Sequence, residues 1–181
     1  MTAMLAGRGE GTMIHLYFGD GKGKTTAAMG LVLRTVGQGG GAVVAQFLKG
    51  ADTGERRTLA LLPGVKLLPV PEQVKFTFTM TPEERKAEEE RTLALLKAAV
   101  RACDEEGCAL AVLDEVCDAV DTGLLPLETL LSALDRMPCE VVLTGHRPCQ
   151  ALLDRADYLT QFQKLRHPFD RGAAARRGIE Y

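Results

Sequence analysis

The chain contains no tryptophan, no CxxC pair, no apolar run long enough to span a bilayer and almost no net charge. Each absence narrows the reading. Five cysteines, Cys103, Cys108, Cys117, Cys139 and Cys149, are odd in number and nowhere spaced like a zinc knuckle. That argues against a disulfide framework or a structural zinc site. They read as reduced thiols, mostly in or near the core. With 22 basic against 24 acidic side chains the formal charge is −2, so no global basic field points to nucleic acid. The glycine-rich stretch 1–12 lacks the hydrophobic segment of a signal peptide, and no membrane span is expected. These features lead to a cytoplasmic protein.

What is present is ordinary in bulk. Apolar residues make up 46% and charged residues 25% of 181 positions, which suits one domain with an adequate core. That domain is expected over 13–181, after the short tail at 1–12. Strands are expected at Ile14–Phe18, Ala42–Phe47, Val65–Pro69, Ala109–Asp114, Glu140–Thr144 and Tyr158–Phe162. Helices are expected at Lys24–Val36, Thr58–Leu62, Pro82–Glu106, Leu127–Arg136 and Cys149–Arg155. The helix at Pro82 is the best marked: Thr81 suits the N-cap, Pro82 the first position, and Glu84 completes a capping box. Its charge run, Glu83 to Arg91, reads as a solvated face. Strands alternate with helices, and several strands are continuous apolar runs. This predicts an α/β fold with a mostly parallel sheet and helices on both faces.

The chemistry concentrates where the first strand ends. Gly19-Asp20-Gly21-Lys22-Gly23-Lys24-Thr25-Thr26 runs from strand to helix, the setting in which backbone N–H groups and a helix N-terminus gather phosphate. In such a loop Lys24 reaches phosphate oxygens and the Thr25 hydroxyl serves Mg²⁺. The usual GxxxxGK[ST] spacing would need glycine at 18, where Phe18 stands, so the loop is one residue short. Asp114-Glu115 ends an apolar strand, as a metal-holding acid pair does in nucleotide enzymes. The class is thus a P-loop NTPase-like, RecA-like single domain. A phosphate loop by itself names a ligand and not a reaction.

The rest of the chain supplies the reaction by resemblance. The loop with Thr26-Ala27-Ala28, then Gln46-Phe47-Leu48-Lys49-Gly50, Gly54-Glu55-Arg56, Val112-Leu113-Asp114-Glu115, Leu124-Pro126-Leu127-Glu128 and Leu143-Thr144-Gly145 follow in order. The closing His167-Pro168-Phe169-Asp170 and Gly178-Ile179-Glu180-Tyr181 complete the series. Together they resemble the ATP:corrinoid adenosyltransferases of the CobA/CobO/BtuR type, from about Met13 to Tyr181. The resemblance implies transfer of the 5′-deoxyadenosyl group of ATP to Co(I) of a reduced corrinoid, with release of triphosphate. It implies Mg²⁺ (or Mn²⁺), a cellular flavin-type reductant, a homodimer, and ATP lying reversed in the loop. It makes Lys24 and Glu115 catalytic, and Thr25, Asp114 and Glu115 the metal set.

Co(I) is itself the nucleophile in such a reaction, which fits the lack of a nucleophile elbow or a poised Cys–His pair. Phe76-Thr77-Phe78 resembles a family segment carrying Phe-Thr-Trp, whose rings help strip the lower ligand from cobalt; Phe78 keeps an apolar face but lacks the indole N–H. Gln46, Lys49, Glu55 and Arg56 follow a buried strand toward the ligand-binding edge of the sheet. Arg34 and His167 match family positions, with a surface or structural role equally open. His146 stands where the family has Arg, with Arg147 next, so either could meet the ligand. The longer N-terminal lid of some members has no counterpart of similar length in the residues before β-prone Ile14. Two other readings stay open: an ATPase or kinase cleaving the γ-phosphate, and a nucleotide-binding module without chemistry.

Overall fold

The computed structural model describes residues 12–172 and 174–179. The tail expected over 1–12 lies outside the described residues except for Thr12, as do Glu180 and Tyr181 of the closing motif. Six strands form one sheet: β1 (Ile14–Phe18), β2 (Ala42–Gln46), β3 (Val65–Leu67), β4 (Leu110–Asp114), β5 (Glu140–Gly145) and β6 (Tyr158–Gln161). Their order is β3-β2-β4-β5-β1-β6, and every pairing is parallel. The sheet expected to be mostly parallel is therefore wholly so.

Parallel strands need crossovers, and six helices provide them: α1 (Lys24–Gly37), α2 (Gly54–Leu59), α3 (Pro82–Glu106), α4 (Val116–Asp121), α5 (Leu127–Arg136) and α6 (Gln150–Arg155). Side chains alternate across the sheet, so the central strands β2, β4 and β5 feed two cores, while β6 is exposed along its length. Ala42, Val44, Leu110, Val112 and Val142 pack with Ala28, Met29 and Val32 of α1. Val43, Ala45, Ala111, Leu113, Val141 and Leu143 face α3, α4, α5 and α6 on the other side. This two-sided burial explains why the strands read as continuous apolar runs. No helix among the described residues is long and apolar enough to cross a membrane.

The α3 start follows the expected chemistry. Thr81 Oγ1 accepts from the Glu84 N–H at 3.2 Å, and Glu84 Oε2 accepts from the Thr81 N–H at 3.0 Å. Gly107 ends the helix in the left-handed region at φ 58°. The second helix departs from expectation. It begins at Gly54 and ends at Leu59, not over Thr58–Leu62. Pro63-Gly64 close the turn that follows, and the early start lets Arg56 donate to Gln46 Oε1 and to the Leu68 carbonyl, both at 2.9 Å. Helix α4 was not expected. It is one short turn hung directly on the end of β4, with Glu115 at φ 61° making the corner.

Candidate active site

The parallel register brings the carboxyl ends of β1, β2, β4 and β5 to one edge, where open α/β sheets bind ligands. The glycine-rich loop sits there between β1 and α1, and β6 braces it. The Gly21 N–H donates to the Phe162 carbonyl at 2.7 Å, the Gly19 N–H to the His146 carbonyl at 3.2 Å, and the Lys164 N–H to Asp20 Oδ1 at 3.0 Å. That brace requires glycine. A Cβ on Gly19 would lie 2.4 Å from the Phe162 carbonyl oxygen, and one on Gly21 2.7 Å from it. The same Lys164 amide holds the Asp20 carboxyl below its ordinary range. Lys24 Nζ donates to the carbonyls of Gly19 at 2.7 Å and Gly21 at 3.0 Å. Burial draws its ammonium below the usual lysine value, against the opposing pull of Asp118 and Glu115.

Behind the loop lies a buried polar network centred on Asp114, which is fully buried. Oδ1 accepts from the hydroxyls of Thr25 at 2.9 Å and Thr144 at 2.7 Å. Oδ2 accepts from Lys49 Nζ at 2.7 Å and Gln46 Nε2 at 3.2 Å. Four donors on one carboxylate replace the water it lost on burial. Lys49 also lies 3.6 Å from Glu115 and 3.9 Å from Glu55. Burial works against its charge, but Asp114, Glu115 and Glu55 together outweigh that and hold the ammonium above its ordinary value. Glu115 is pushed up to about 7, chiefly by burial, with Lys49 pulling it down and Asp114 and Asp118 adding repulsion. Its left-handed backbone is strained for a residue with a side chain, and the Thr144 hydroxyl accepts its N–H at 2.8 Å.

A cavity of about 630 Å³ opens over this network. The loop from Asp20 to Thr26 forms one wall, with Lys49, Glu55, Glu115 and His146 around it and His167, Gly178 and Ile179 opposite. Lys22 Nζ donates to the Ile179 carbonyl at 2.9 Å, joining the loop to the closing segment. Two motifs from opposite ends of the sequence thus face each other across one space. The oxygens of Thr25, Asp114 and Glu115 are hard donors of the kind Mg²⁺ or Mn²⁺ takes, so the residues present fit such an ion.

Most of the expected residues meet here: Gly19, Asp20, Gly21, Lys22, Gly23, Lys24, Thr25, Thr26, Gln46, Lys49, Glu55, Arg56, Asp114, Glu115 and His167 lie in the loop, its network or the cavity wall. Arg34 lies on the exposed flank of α1, away from the cavity lining. Of the adjacent pair, His146 lines the cavity and the exposed Arg147 does not. Phe76 and Phe78 stack with centroids 5.4 Å apart on a single 3-10 turn, 72% and 83% exposed. Two contributors went unforeseen. Thr144 ties Asp114 to the Glu115 corner. Asp118 on α4 accepts the His146 N–H at 3.0 Å and lies 3.0 Å from its ring Nδ1. The Leu143-Thr144-Gly145 motif is legible in the sequence, but only the β4–β5 pairing says what its hydroxyl faces.

Comparison with known proteins bears on the reaction. The family model described as ATP:corrinoid adenosyltransferase BtuR/CobO/CobP matches residues 10–181. The corrinoid adenosyltransferase CobA of Salmonella typhimurium is 35% identical over 175 residues, covering 95% of this chain and 87% of that protein. The corrinoid adenosyltransferase of Escherichia coli K12 is 33% identical with the same coverage. That of Pseudomonas aeruginosa is 30% identical over 182 residues, covering 96% of this chain and 86% of the relative.

Proposed function

The chain belongs to the ATP:corrinoid adenosyltransferase family, and from that premise we propose how its residues share the work. The enzyme transfers the adenosyl group of ATP to a corrinoid. In the reading we favour, Co(I) of the reduced corrinoid attacks C5′ of ATP, the C5′–O bond breaks, and its electron pair leaves with triphosphate. One observation carries this: the short phosphate loop and the closing segment line the same cavity, joined through Lys22 and Ile179.

The protein needs no nucleophile of its own. Its tasks are alignment and the stabilisation of charge growing on the triphosphate, both large terms in catalysis. Lys24, the loop amides from Gly19 to Thr26 and Lys22 supply positive charge and hydrogen bonds to the leaving group. Lys24 is the central catalytic residue because its ammonium is already curled over the loop. Thr25, Asp114 and Glu115 would hold Mg²⁺ or Mn²⁺. When bound, that ion adds positive charge at the phosphate oxygens. Lys49, Gln46, Glu55 and Arg56 keep Asp114 and Glu115 in position through the network described above. His146, steadied by Asp118 beside the loop, and His167 from the opposite wall would face the triphosphate. Arg147 and Arg34 stand outside that set.

Phe76 and Phe78 present a paired apolar face to the corrinoid and favour loss of the lower cobalt ligand, which eases reduction of Co(II). Their stacked, exposed rings support this role. We extend the reading to a single catalytic domain over 13–181, working in the cytoplasm as a homodimer and fed electrons by a flavin-type reductant. ATP lies reversed in the shortened loop.

The test is product identity. Purified protein, ATP, Mg²⁺ and chemically reduced cobalamin are expected to yield a Co–C bond, seen by visible absorbance, and triphosphate, seen by ³¹P NMR. Appearance of ADP and phosphate without a Co–C bond would make the protein an ATPase or kinase.

A further inference from the structure

At the end of the sheet opposite the phosphate loop, three thiols converge. Cys103 lies in the last turns of α3, Cys108 precedes β4 and Cys139 precedes β5. All three are buried, and their sulfurs lie within 4.8 Å of one another, with Cys108 and Cys139 Sγ 3.4 Å apart. Strand pairing brings this about. Leu110 sits beside Glu140 in the β4–β5 ladder, so the residues entering the two strands come together. Gly107, Ala109 and Pro138 beside them are exposed, so the sulfurs lie one residue below the surface.

The geometry suits a central atom bonded to all three. At about 2.3 Å per bond, three sulfurs stand roughly 3.3 Å apart in a pyramid and 4.0 Å apart in a plane. Cys108 and Cys139 already stand at such a spacing, and no pair of the three exceeds 4.8 Å. Among the described residues no fourth His, Cys, Asp or Glu joins the group, whereas structural zinc takes four ligands. Charge narrows the choice further. The side chain next to Cys139 in the chain is a carboxylic acid, Glu140, which lies 3.3 Å from His15, so it brings no cation to the thiols. Uncompensated charge is costly in such a place. A monovalent soft ion would leave three thiolates with an excess of two negative charges. A trivalent one leaves none, and its lone pair takes the fourth position.

We propose that Cys103, Cys108 and Cys139 form a binding site for a trivalent thiophilic metalloid of the arsenic(III) class, held as a neutral three-sulfur adduct. Binding is a ligand exchange. Arsenous acid brings three hydroxyls, each thiol proton leaves with one of them as water, and three As–S bonds replace three As–O bonds. No electron is transferred, and neither ATP nor corrinoid takes part.

The experiment adds arsenite to the reduced full chain without oxygen. Intact mass is expected to rise by one arsenic less three hydrogens, and arsenic K-edge absorption to report three sulfur neighbours. Two sulfurs and an oxygen, or no adduct, would overturn the site. Cys103→Ala, Cys108→Ala and Cys139→Ala should each weaken binding by at least the factor of about ten that a lost supporting residue costs a metal site. Cys149→Ser, at an exposed thiol, should leave it unchanged. Undiminished affinity in any of the three alanine variants would contradict the proposal. The absorption spectrum is read on the unaltered chain, so the question stays decidable if a variant does not fold.

Discussion

The network around Asp114 and the turn carrying Phe76 and Phe78 leave the same edge of the sheet, yet they are built in opposite ways. Asp114 is fully buried and accepts from Thr25 on α1, Thr144 on β5, Gln46 on β2 and Lys49 in the connection after β2. The two phenyl rings stack on each other and are mostly exposed, and the neighbouring Lys75 pairs with Glu84 in the first turn of α3. The first region is preorganised, so its geometry is fixed before ligand arrives and costs nothing at the moment of reaction. The second leaves two apolar rings exposed to solvent. The comparison suggests that the triphosphate half of the reaction depends on rigidity and the corrinoid half on contact.

Substitutions can break the comparison. Lys24→Ala is expected to lower adenosyl transfer at least about 100-fold while leaving the circular dichroism spectrum and Tm close to those of the parent. Asp114→Asn should cost both activity and about 2 kcal/mol of stability in urea unfolding, because Lys49 would lose its shortest charged partner and keep only Glu115 and Glu55 at 3.6 and 3.9 Å. An unaltered midpoint would mean that the network is far less rigid than its distances suggest. Phe78→Ala should slow the reaction about tenfold when it starts from Co(II), the scale of a lost aromatic contact. Starting from preformed Co(I), the rate should hold, and the exposed site predicts a stability change within about 0.5 kcal/mol. Equal losses from Co(II) and Co(I) would remove the proposed role in ligand stripping. The smallest effect is expected at Thr81→Ala, where loss of the capping box should cost about 1 kcal/mol with transfer unchanged.

The sequence carried the preorganised region better than its fine structure. The loop, the acid at the end of β4 and the polar residues after β2 could be recognised because each follows an apolar strand, and parallel strands deliver their ends to one edge. The α3 start could be read from Thr81, Pro82 and Glu84 because a capping box is a local pattern. Partners supplied across the sheet could not be read. Nothing around Thr144 says that its hydroxyl reaches Asp114; that follows from β4 lying beside β5. Asp118 escaped notice with α4, since a single turn launched from a left-handed glutamate leaves no periodic signal. Phe162 is expected to close the last strand, but it lies just past β6 and its carbonyl braces the loop. The cysteines make the same point. Their spacing excluded a knuckle, yet two strand entries and a helix end gather three of them at one place.

The measurement that tests the central claim most directly uses an ATP analogue whose β–γ bridge is a methylene group, supplied with Mg²⁺ and preformed Co(I) corrinoid. If the whole triphosphate departs from C5′, the blocked bridge is never cleaved, and the adenosylated corrinoid should form with the intact analogue chain as the second product. Failure to form any Co–C bond with the blocked analogue, while ATP itself is turned over to ADP and phosphate, would contradict the account.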